Sequence, residues 1–421
     1  MNARERLSLT LAHRPPDRVP LDLGATPVSG MHVSMVYQLR QALALDPPGT
    51  PVRVTNITQM LGEIAPDLAE ALGVDTLPLE RPVQSFGIAN TDWKEWRTFD
   101  DTPVLVPGGF NTRLEPNGDL LMYPQGDFTA PPSGRMPSGG YYFDALVRQP
   151  PLDESRLDPA DNLEEFGLLS DAELAYYAAE AERLFMQTDK ALVGNPGGTG
   201  FGDIAQVPAV QLAYPRGIRD LEEWYMSLAM RPDYIAEVFA GQCEVALQNL
   251  ARFYEAVGEK IAVIFLSGTD FGGQNSLLFS PRTYRRLFKP NQKRLNDWVH
   301  ANTGWKTMIH TDGAMWDLIP DLIEAGFDIL NPVQFSATGM DPERLKSTFG
   351  EQITFWGAGV DTQKTLPFGT PDEVRAEVGQ MLATFRPGGG FVFAGVHNIQ
   401  AGVPLENLLA FFEAFQAGRA Y

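Results

Sequence analysis

From Ser170 to the C-terminus, helical segments alternate with short apolar runs, and this alternation limits the fold more than any other feature of the chain. The apolar runs are continuous and lack a polar residue at every second position, as is typical of parallel strands covered by helices on both faces. This order predicts an α/β protein. The strands predicted in this part are Ala191–Gly194, Ile261–Leu266, Thr307–His310, Phe327–Leu330, Ile353–Gly357 and Phe391–Val396.

The helices between these strands begin with recognisable capping signals. Ser170-Asp171-Ala172-Glu173 and Thr370-Pro371-Asp372-Glu373 are capping boxes, in which the first and last side chains each bind the other's backbone N–H. The predicted helices cover residues 170–187, 221–230, 232–257, 281–302, 315–325, 342–349, 371–384 and 405–416.

Two α/β architectures compete, a closed barrel and a doubly wound sheet. A doubly wound nucleotide-binding sheet requires a phosphate-binding glycine loop after its first strand. The first predicted strand, at residues 18–24, is followed by no G-x-G-x-x-G pattern, and the glycine-rich turn Asn195–Gly200 lacks both that spacing and a Walker lysine. We therefore predict one (β/α)8 TIM-barrel domain over residues 1–421.

Residues 80–151 differ from the rest, because proline, glycine and aromatic residues dominate and no helical periodicity is present. Asn117-Gly118 lies between two strand-like runs, which is a strong hairpin signal. We interpret this segment as a β-rich inserted hairpin or lid region, placed after the second βα unit. Its aromatic side chains either face a substrate or fasten the insertion to the barrel.

Composition excludes several classes of function. The net charge of −20 disfavours nucleic-acid and anionic-membrane partners. The single cysteine, Cys243, excludes an internal disulfide and a thiolate-rich metal site. No signal peptide and no membrane-spanning run are visible, so we expect a cytoplasmic protein.

Histidine is rare in this chain, with only five residues, yet two of the five follow apolar runs directly. His310 ends one strand, with Asp312 two residues later, and His397 follows the last strand. In a TIM barrel, functional residues lie at the carboxyl ends of the strands. Two imidazoles and a carboxylate with an open fourth position form a recognised Zn²⁺ ligand set, which would also suit Fe²⁺ or Mn²⁺. A plain hydrogen bond between His310 and Asp312 is the alternative.

Other polar residues follow the same strand ends. Asp270, in a glycine-flanked loop, is a candidate catalytic base, although a substrate anchor or a turn-forming role is open. Neutral amides that could orient a substrate are Gln274, Asn331, Gln334 and Asn398.

These segments resemble the uroporphyrinogen decarboxylase superfamily, which includes the porphyrinogen decarboxylase and corrinoid-dependent methyltransferases. The resemblance is clearest at residues 14–20, at His310-Thr311-Asp312-Gly313, and from Gly388 to Gln400. It implies a (β/α)8 barrel. The decarboxylase binds its tetrapyrrole through arginines in the loop after the first strand. The corresponding segment here, Gly24–Gly30, contains no arginine. The methyltransferase branch is therefore favoured.

In that branch, zinc is typically held by His-x-Cys-Gly and a later cysteine. By resemblance, His310 matches the histidine, Asp312 replaces the first cysteine, and His397 lies at or near the last ligand position. Because both thiolates are replaced, activation of an ether or alcohol oxygen is a more natural task for this site than activation of a thiol. His397 is also a candidate catalytic residue.

The resemblance thus implies a methyltransferase, or O-demethylase component, that moves a methyl group between a small methoxylated or methylated compound and a corrinoid. The corrinoid attachment pattern Asp-x-His-x-x-Gly is absent, so we expect the corrinoid on a separate partner protein. Whether the protein forms a homodimer is left open. The competing functions are a metal-free decarboxylase of the uroporphyrinogen type and a non-enzymatic small-molecule binding protein.

Overall fold

The computed structural model describes residues 1–421. Its strands, in chain order, are β1 (Val52–Asn56), β2 (Leu61–Gly62), β3 (Thr76–Leu79), β4 (Lys94–Arg97), β5 (Pro103–Val106), β6 (Thr112–Leu114), β7 (Leu120–Met122), β8 (Gly134–Met136), β9 (Asp144–Ala145), β10 (Ala191–Gly194), β11 (Ile261–Ser267), β12 (Lys306–His310), β13 (Ile329–Asn331), β14 (Thr354–Trp356) and β15 (Phe391–Val392).

The α-helices are α1 (Ala3–Leu11), α2 (Val33–Ala42), α3 (Pro66–Leu72), α4 (Asp171–Gln187), α5 (Leu221–Met230), α6 (Pro232–Val257), α7 (Pro281–Leu287), α8 (Lys289–Asn302), α9 (Ile319–Glu324), α10 (Pro342–Phe349), α11 (Thr365–Phe368), α12 (Pro371–Phe385) and α13 (Leu405–Gly418). Both predicted capping boxes are present, at Ser170/Glu173 and Thr370/Glu373. The single helix predicted over 281–302 is two helices, α7 and α8, because Pro290 has no N–H to donate to the Arg286 carbonyl four residues before it.

A curled parallel sheet of seven strands forms the centre, in the order β3-β10-β11-β12-β13-β14-β15. Residues 20–22 join its two edges. The Phe393 N–H donates to the Pro20 carbonyl (2.9 Å), and the Asp75 N–H donates to the Leu21 carbonyl (2.8 Å). This α/β architecture agrees with the predicted TIM-barrel-like fold, with the strand predicted at residues 18–24 reduced to a few bridging residues.

The inside of the curled sheet is filled by a compact apolar cluster. Val263, Met308, Ile329 and Trp356 are four of its members, one from each of four neighbouring strands. Leu7 of helix α1 belongs to the same cluster, so this helix covers the interior. A much larger cluster lies between the strands and the surrounding helices. The interior of the barrel is therefore packed with apolar side chains and is not an open channel.

The β-rich segment lies elsewhere than predicted. It follows strand β3 directly and precedes helix α4, so it interrupts the second βα unit instead of following it. Its strands β4 and β5 join β1 and β2, which precede β3 in the chain, to form the small sheet β2-β1-β5-β4. Strands β6-β7-β8-β9 form a second small sheet, in which the predicted hairpin across Asn117-Gly118 is present as β6 and β7. A loop at the carboxyl end of a strand can lengthen there without disturbing the barrel.

None of the helices combines the length and the apolarity needed to cross a membrane.

Candidate metal centre

His310 and Asn331 face the interior of the barrel at its carboxyl end. Side chains two residues apart in a strand point to the same face, and Met308 and Ile329 belong to the interior cluster. In the parallel pairing of β12 with β13, His310 lies opposite Asn331. Local strand geometry therefore places an imidazole and an amide side by side at the top of the packed interior.

Three potential ligands converge at this point. The donor atoms of His310, Asp312 and His397 all lie within 4.8 Å of one another. Asp312 Oδ2 is 3.5 Å from His310 Nε2 and 3.8 Å from His397 Nε2. Both separations exceed the roughly 2.7–3.2 Å of a normal N–H···O hydrogen bond. They are close to the roughly 3.4 Å that separates the ligands of a tetrahedral zinc ion bound at about 2.1 Å. The donor set therefore fits a divalent metal ion.

Asn331 sets the orientation of the His310 ring. The His310 Nδ1 atom lies 2.7 Å from the Asn331 side-chain oxygen, and the Asn331 amide nitrogen donates to the Trp356 carbonyl (2.9 Å). The second contact fixes which end of the amide faces His310, so Nδ1 must carry the proton. In a neutral ring, Nε2 is then unprotonated and turned toward Asp312, as a metal-binding histidine requires.

Charge favours the protonated form of His310 in the absence of a metal. Burial lowers the pKa of His310, but the neighbouring carboxylates of Asp312 and Asp270 outweigh it and raise the pKa to about 9. Burial also lowers the pKa of His397, whereas the pKa of Asp312 is lowered by the two imidazoles despite burial. The carboxylates of Asp312 and Asp270 thus stabilise one positive charge at the site, on His310.

Asp270 lies beside this cluster. Its Oδ1 accepts a hydrogen bond from the Asp312 backbone N–H (3.0 Å), and its backbone carbonyl accepts one from the Tyr225 hydroxyl (2.9 Å). Burial raises the pKa of Asp270, and the Asp312 carboxylate adds to the rise. A carboxyl group held in this way can exchange a proton near the metal ligands.

The four amides predicted to orient a substrate hydrogen-bond within the protein. Gln334 accepts from the Gly313 N–H (2.7 Å) and donates to Gln274 (3.1 Å), which itself donates to the Ser336 carbonyl (2.6 Å). Asn398 donates to Gln59, and Asn331 supports His310 as described. These contacts hold segments that follow different strands together at the mouth of the barrel.

The sequence analysis missed two polar residues at the barrel mouth. Arg81 follows β3, and Asp203 lies in the loop after β10. The rule that function follows the strand ends would have selected Arg81, but the whole stretch from residue 80 was assigned to the insertion. Asp203 lies beyond the glycine-rich turn and carries no motif of its own.

The curled parallel sheet, with polar side chains gathered at the carboxyl ends of its strands, places the protein in the TIM-barrel class. The family model for uroporphyrinogen decarboxylase (URO-D) matches residues 208–418, which is half of the chain. The protein belongs to the uroporphyrinogen decarboxylase family, an enzyme family, as the sequence motifs predicted.

A comparison with one solved structure supports the fold. A methyltransferase from Methanosarcina mazei superposes with a TM-score of 0.54 at 17% identity, covering 99% of both chains. At this identity the likeness shows the fold alone. A GH113 β-1,4-mannanase matches with a TM-score of 0.28 at 12% identity, over 59% of this chain and 79% of its own, which is too low to carry an argument. No curated protein matches the chain.

Proposed function

We propose that this protein is a methyltransferase that moves a methyl group between a small methoxylated or methylated compound and a corrinoid carried by a separate protein. The observation that carries the proposal is the convergence of His310, Asp312 and His397 at the barrel mouth. Family membership and the fold shared with a methyltransferase support it.

His310, Asp312 and His397 would hold a divalent metal ion, with zinc as the first candidate. Bound there, the ion would act as a Lewis acid on the methyl-bearing heteroatom of the substrate. Asn331 keeps His310 in the tautomer that binds metal. Asp270 positions Asp312 through its backbone N–H and would exchange a proton with the substrate.

Analysis of purified protein for metal, followed by a methyl-transfer assay with a corrinoid acceptor, tests the proposal. We expect about one zinc ion per chain and methyl transfer that chelation abolishes and added zinc restores. Metal-free protein that decarboxylates uroporphyrinogen at full rate would instead support the decarboxylase. Protein that binds small ligands but catalyses neither reaction would support a binding function.

Metal binding should strengthen as the pH rises. Since the pKa of His310 is raised to about 9, its imidazole holds a proton at neutral pH that the metal must displace. The apparent affinity for zinc should therefore rise about tenfold per pH unit up to about pH 9 and then level off. Titration calorimetry in buffers of different ionisation enthalpy should show the release of about one proton per metal at neutral pH. An affinity that does not change over this range would contradict the assignment of His310 as a ligand.

Replacing Asn331 with alanine should weaken metal binding without removing any ligand. The variant loses the acceptor that fixes the Nδ1 proton of His310, and loss of such partners lowers metal affinity about 10- to 100-fold. Competition with a chromophoric chelator measures the change. Asn275→Ala, in a loop near the same face, is the control and should leave the affinity unchanged. Equal affinities in wild type and Asn331→Ala would show that the amide does not orient the ring.

A further inference from the structure

A cavity of about 310 Å³ lies at the carboxyl ends of strands β3, β10 and β11, next to the strand that carries His310. Its walls include Phe201 and Phe265, and its polar lining includes Arg81, Asp203 and Ser267. Ser267 pairs with Ile309, the residue before His310, in the parallel register of β11 and β12. The cavity therefore opens at the same end of the barrel as the metal ligands, over the carboxyl ends of β3, β10 and β11.

Arg81 brings a positive charge to this cavity that no carboxylate neutralises directly. Its Nε donates to the Asn195 backbone carbonyl (2.6 Å), and a second guanidinium nitrogen donates to the Asn195 side chain. No Asp or Glu oxygen lies within ion-pair distance of Arg81, unlike most arginines of this chain. Asn195 thus holds one edge of the planar guanidinium, and the remaining N–H groups are free for an anion.

Asp203 brings the opposite charge. Its Oδ1 accepts from the Ala205 N–H (2.9 Å). Its Oδ2 has no basic partner and lies near Gly268, where an added Cβ would be 3.4 Å away. Burial disfavours both charges, because it lowers the pKa of Arg81 and raises the pKa of Asp203. Near them, the Ser267 hydroxyl is buried, with 4% of the residue exposed, and has no hydrogen-bond partner.

The cavity thus contains the Arg81 guanidinium with free N–H groups, the Asp203 carboxylate without a basic partner, and the Ser267 hydroxyl without a hydrogen-bond partner. These groups match a ligand that carries both a negative and a positive charge. We propose that the cavity binds a small zwitterion of the amino-acid type, with its carboxylate at Arg81 and its cationic nitrogen at Asp203. If the proposed methyltransferase function holds, on which this step rests, the methyl donor is a methylated compound of this class whose methyl-bearing heteroatom is a separate group from the cationic nitrogen. A ligand of this size would extend from the cavity toward His310.

Calorimetric titration of metal-free, full-length protein tests the binding site independently of catalysis. The probes are N,N-dimethylglycine, which carries both charges, methoxyacetate, which carries only the negative charge, and dimethylammonium, which carries only the positive one. We expect the zwitterion to bind at least about tenfold more tightly than either of the others, since each satisfied charge contributes on the order of a tenfold gain. Equal affinities for the three probes would overturn the inference.

Three substitutions at Asp203 and Arg81 test which charge of the ligand each residue binds. Asp203→Asn keeps the size and should weaken dimethylglycine binding about tenfold while leaving methoxyacetate binding unchanged. Arg81→Gln should weaken both, and Arg81→Lys, which keeps the charge but not the planar fork, should restore part of the loss. The exposed residues Arg113 and Asp317 supply the controls Arg113→Gln and Asp317→Asn, with wild-type binding expected. Thermal unfolding confirms that each variant is folded. Wild-type dimethylglycine binding by folded Asp203→Asn would overturn the inference.

The outcome separates this inference from the proposed function. Methyl transfer from methanol by a protein that does not bind dimethylglycine would overturn the zwitterion site and leave the methyltransferase proposal standing. Dimethylglycine binding that depends on Arg81 and Asp203, in a protein without methyl-transfer activity, would support the site and overturn the methyltransferase.

Discussion

Replacing His310 with alanine is expected to abolish stoichiometric metal binding and to lower methyl transfer by more than about 100-fold, beyond the 10- to 100-fold typical of residues that only support a ligand. His310 is buried, its ring is held by Asn331, and its Nε2 faces Asp312. Alanine removes a ligand and leaves two donors, fewer than the three protein ligands usual for catalytic zinc. Metal content, measured on purified protein by mass spectrometry, and the initial rate with a corrinoid acceptor check both expectations.

His300 provides the matched control. It is a histidine on helix α8 that pairs with Asp328 at 2.7 Å, away from the barrel mouth. His300→Ala should keep the full metal content and rate. Should His310→Ala retain its zinc, a different group of residues holds the metal and the proposed centre is wrong.

Replacing Asp75 with alanine should lower the free energy of unfolding by about 3–5 kcal/mol, the range for removing one partner of a buried ion pair. Asp75 is fully buried at the start of β3. Its carboxylate accepts from Arg6 (2.7 Å), from Arg18 (2.7 and 2.9 Å) and from the Leu21 N–H (2.8 Å). The substitution leaves Arg18 without a carboxylate and loosens the residues that join the two edges of the sheet. Urea denaturation followed by circular dichroism measures the change.

Asp297→Ala is the control for this experiment. Asp297 pairs with Lys293 on the exposed face of helix α8, with more than half of each side chain accessible. Exposed pairs of this kind contribute about 0.2–1 kcal/mol, so the variant should be nearly as stable as the wild type. If both variants lost a similar free energy of unfolding, burial of the Asp75 network would contribute nothing to the stability of the protein.

The order of the barrel elements was predictable because each one is encoded locally. Continuous apolar runs marked β10 to β15, and capping boxes marked the starts of α4 and α12. The first barrel strand was harder to predict, because it is held by the neighbouring Phe393 and Asp75 more than by its own regular pairing. The position of the β-rich segment was misjudged, since the helix that completes the second βα unit is α4, which follows the segment in the chain.

The site was predictable in part. His310 and Asp312 are two residues apart in the sequence, so their proximity follows from the strand end itself. The role of Asn331 was not predictable, because its partner depends on the register between β12 and β13. The roles of Gln334, Gln274 and Asn398 were not predictable either, because their polar groups hydrogen-bond to residues in loops that follow other strands.

The sequence by itself determined the α/β class, the family and the residues that end each strand, because hydrophobic pattern, caps and motifs act over short distances along the chain. Only the tertiary structure brought His397 of the last barrel segment within reach of Asp312, and only it placed Arg81 and Asp203 in one cavity. The physical reason is that curvature and register of a parallel sheet decide which strand ends meet, and both depend on packing over the whole barrel.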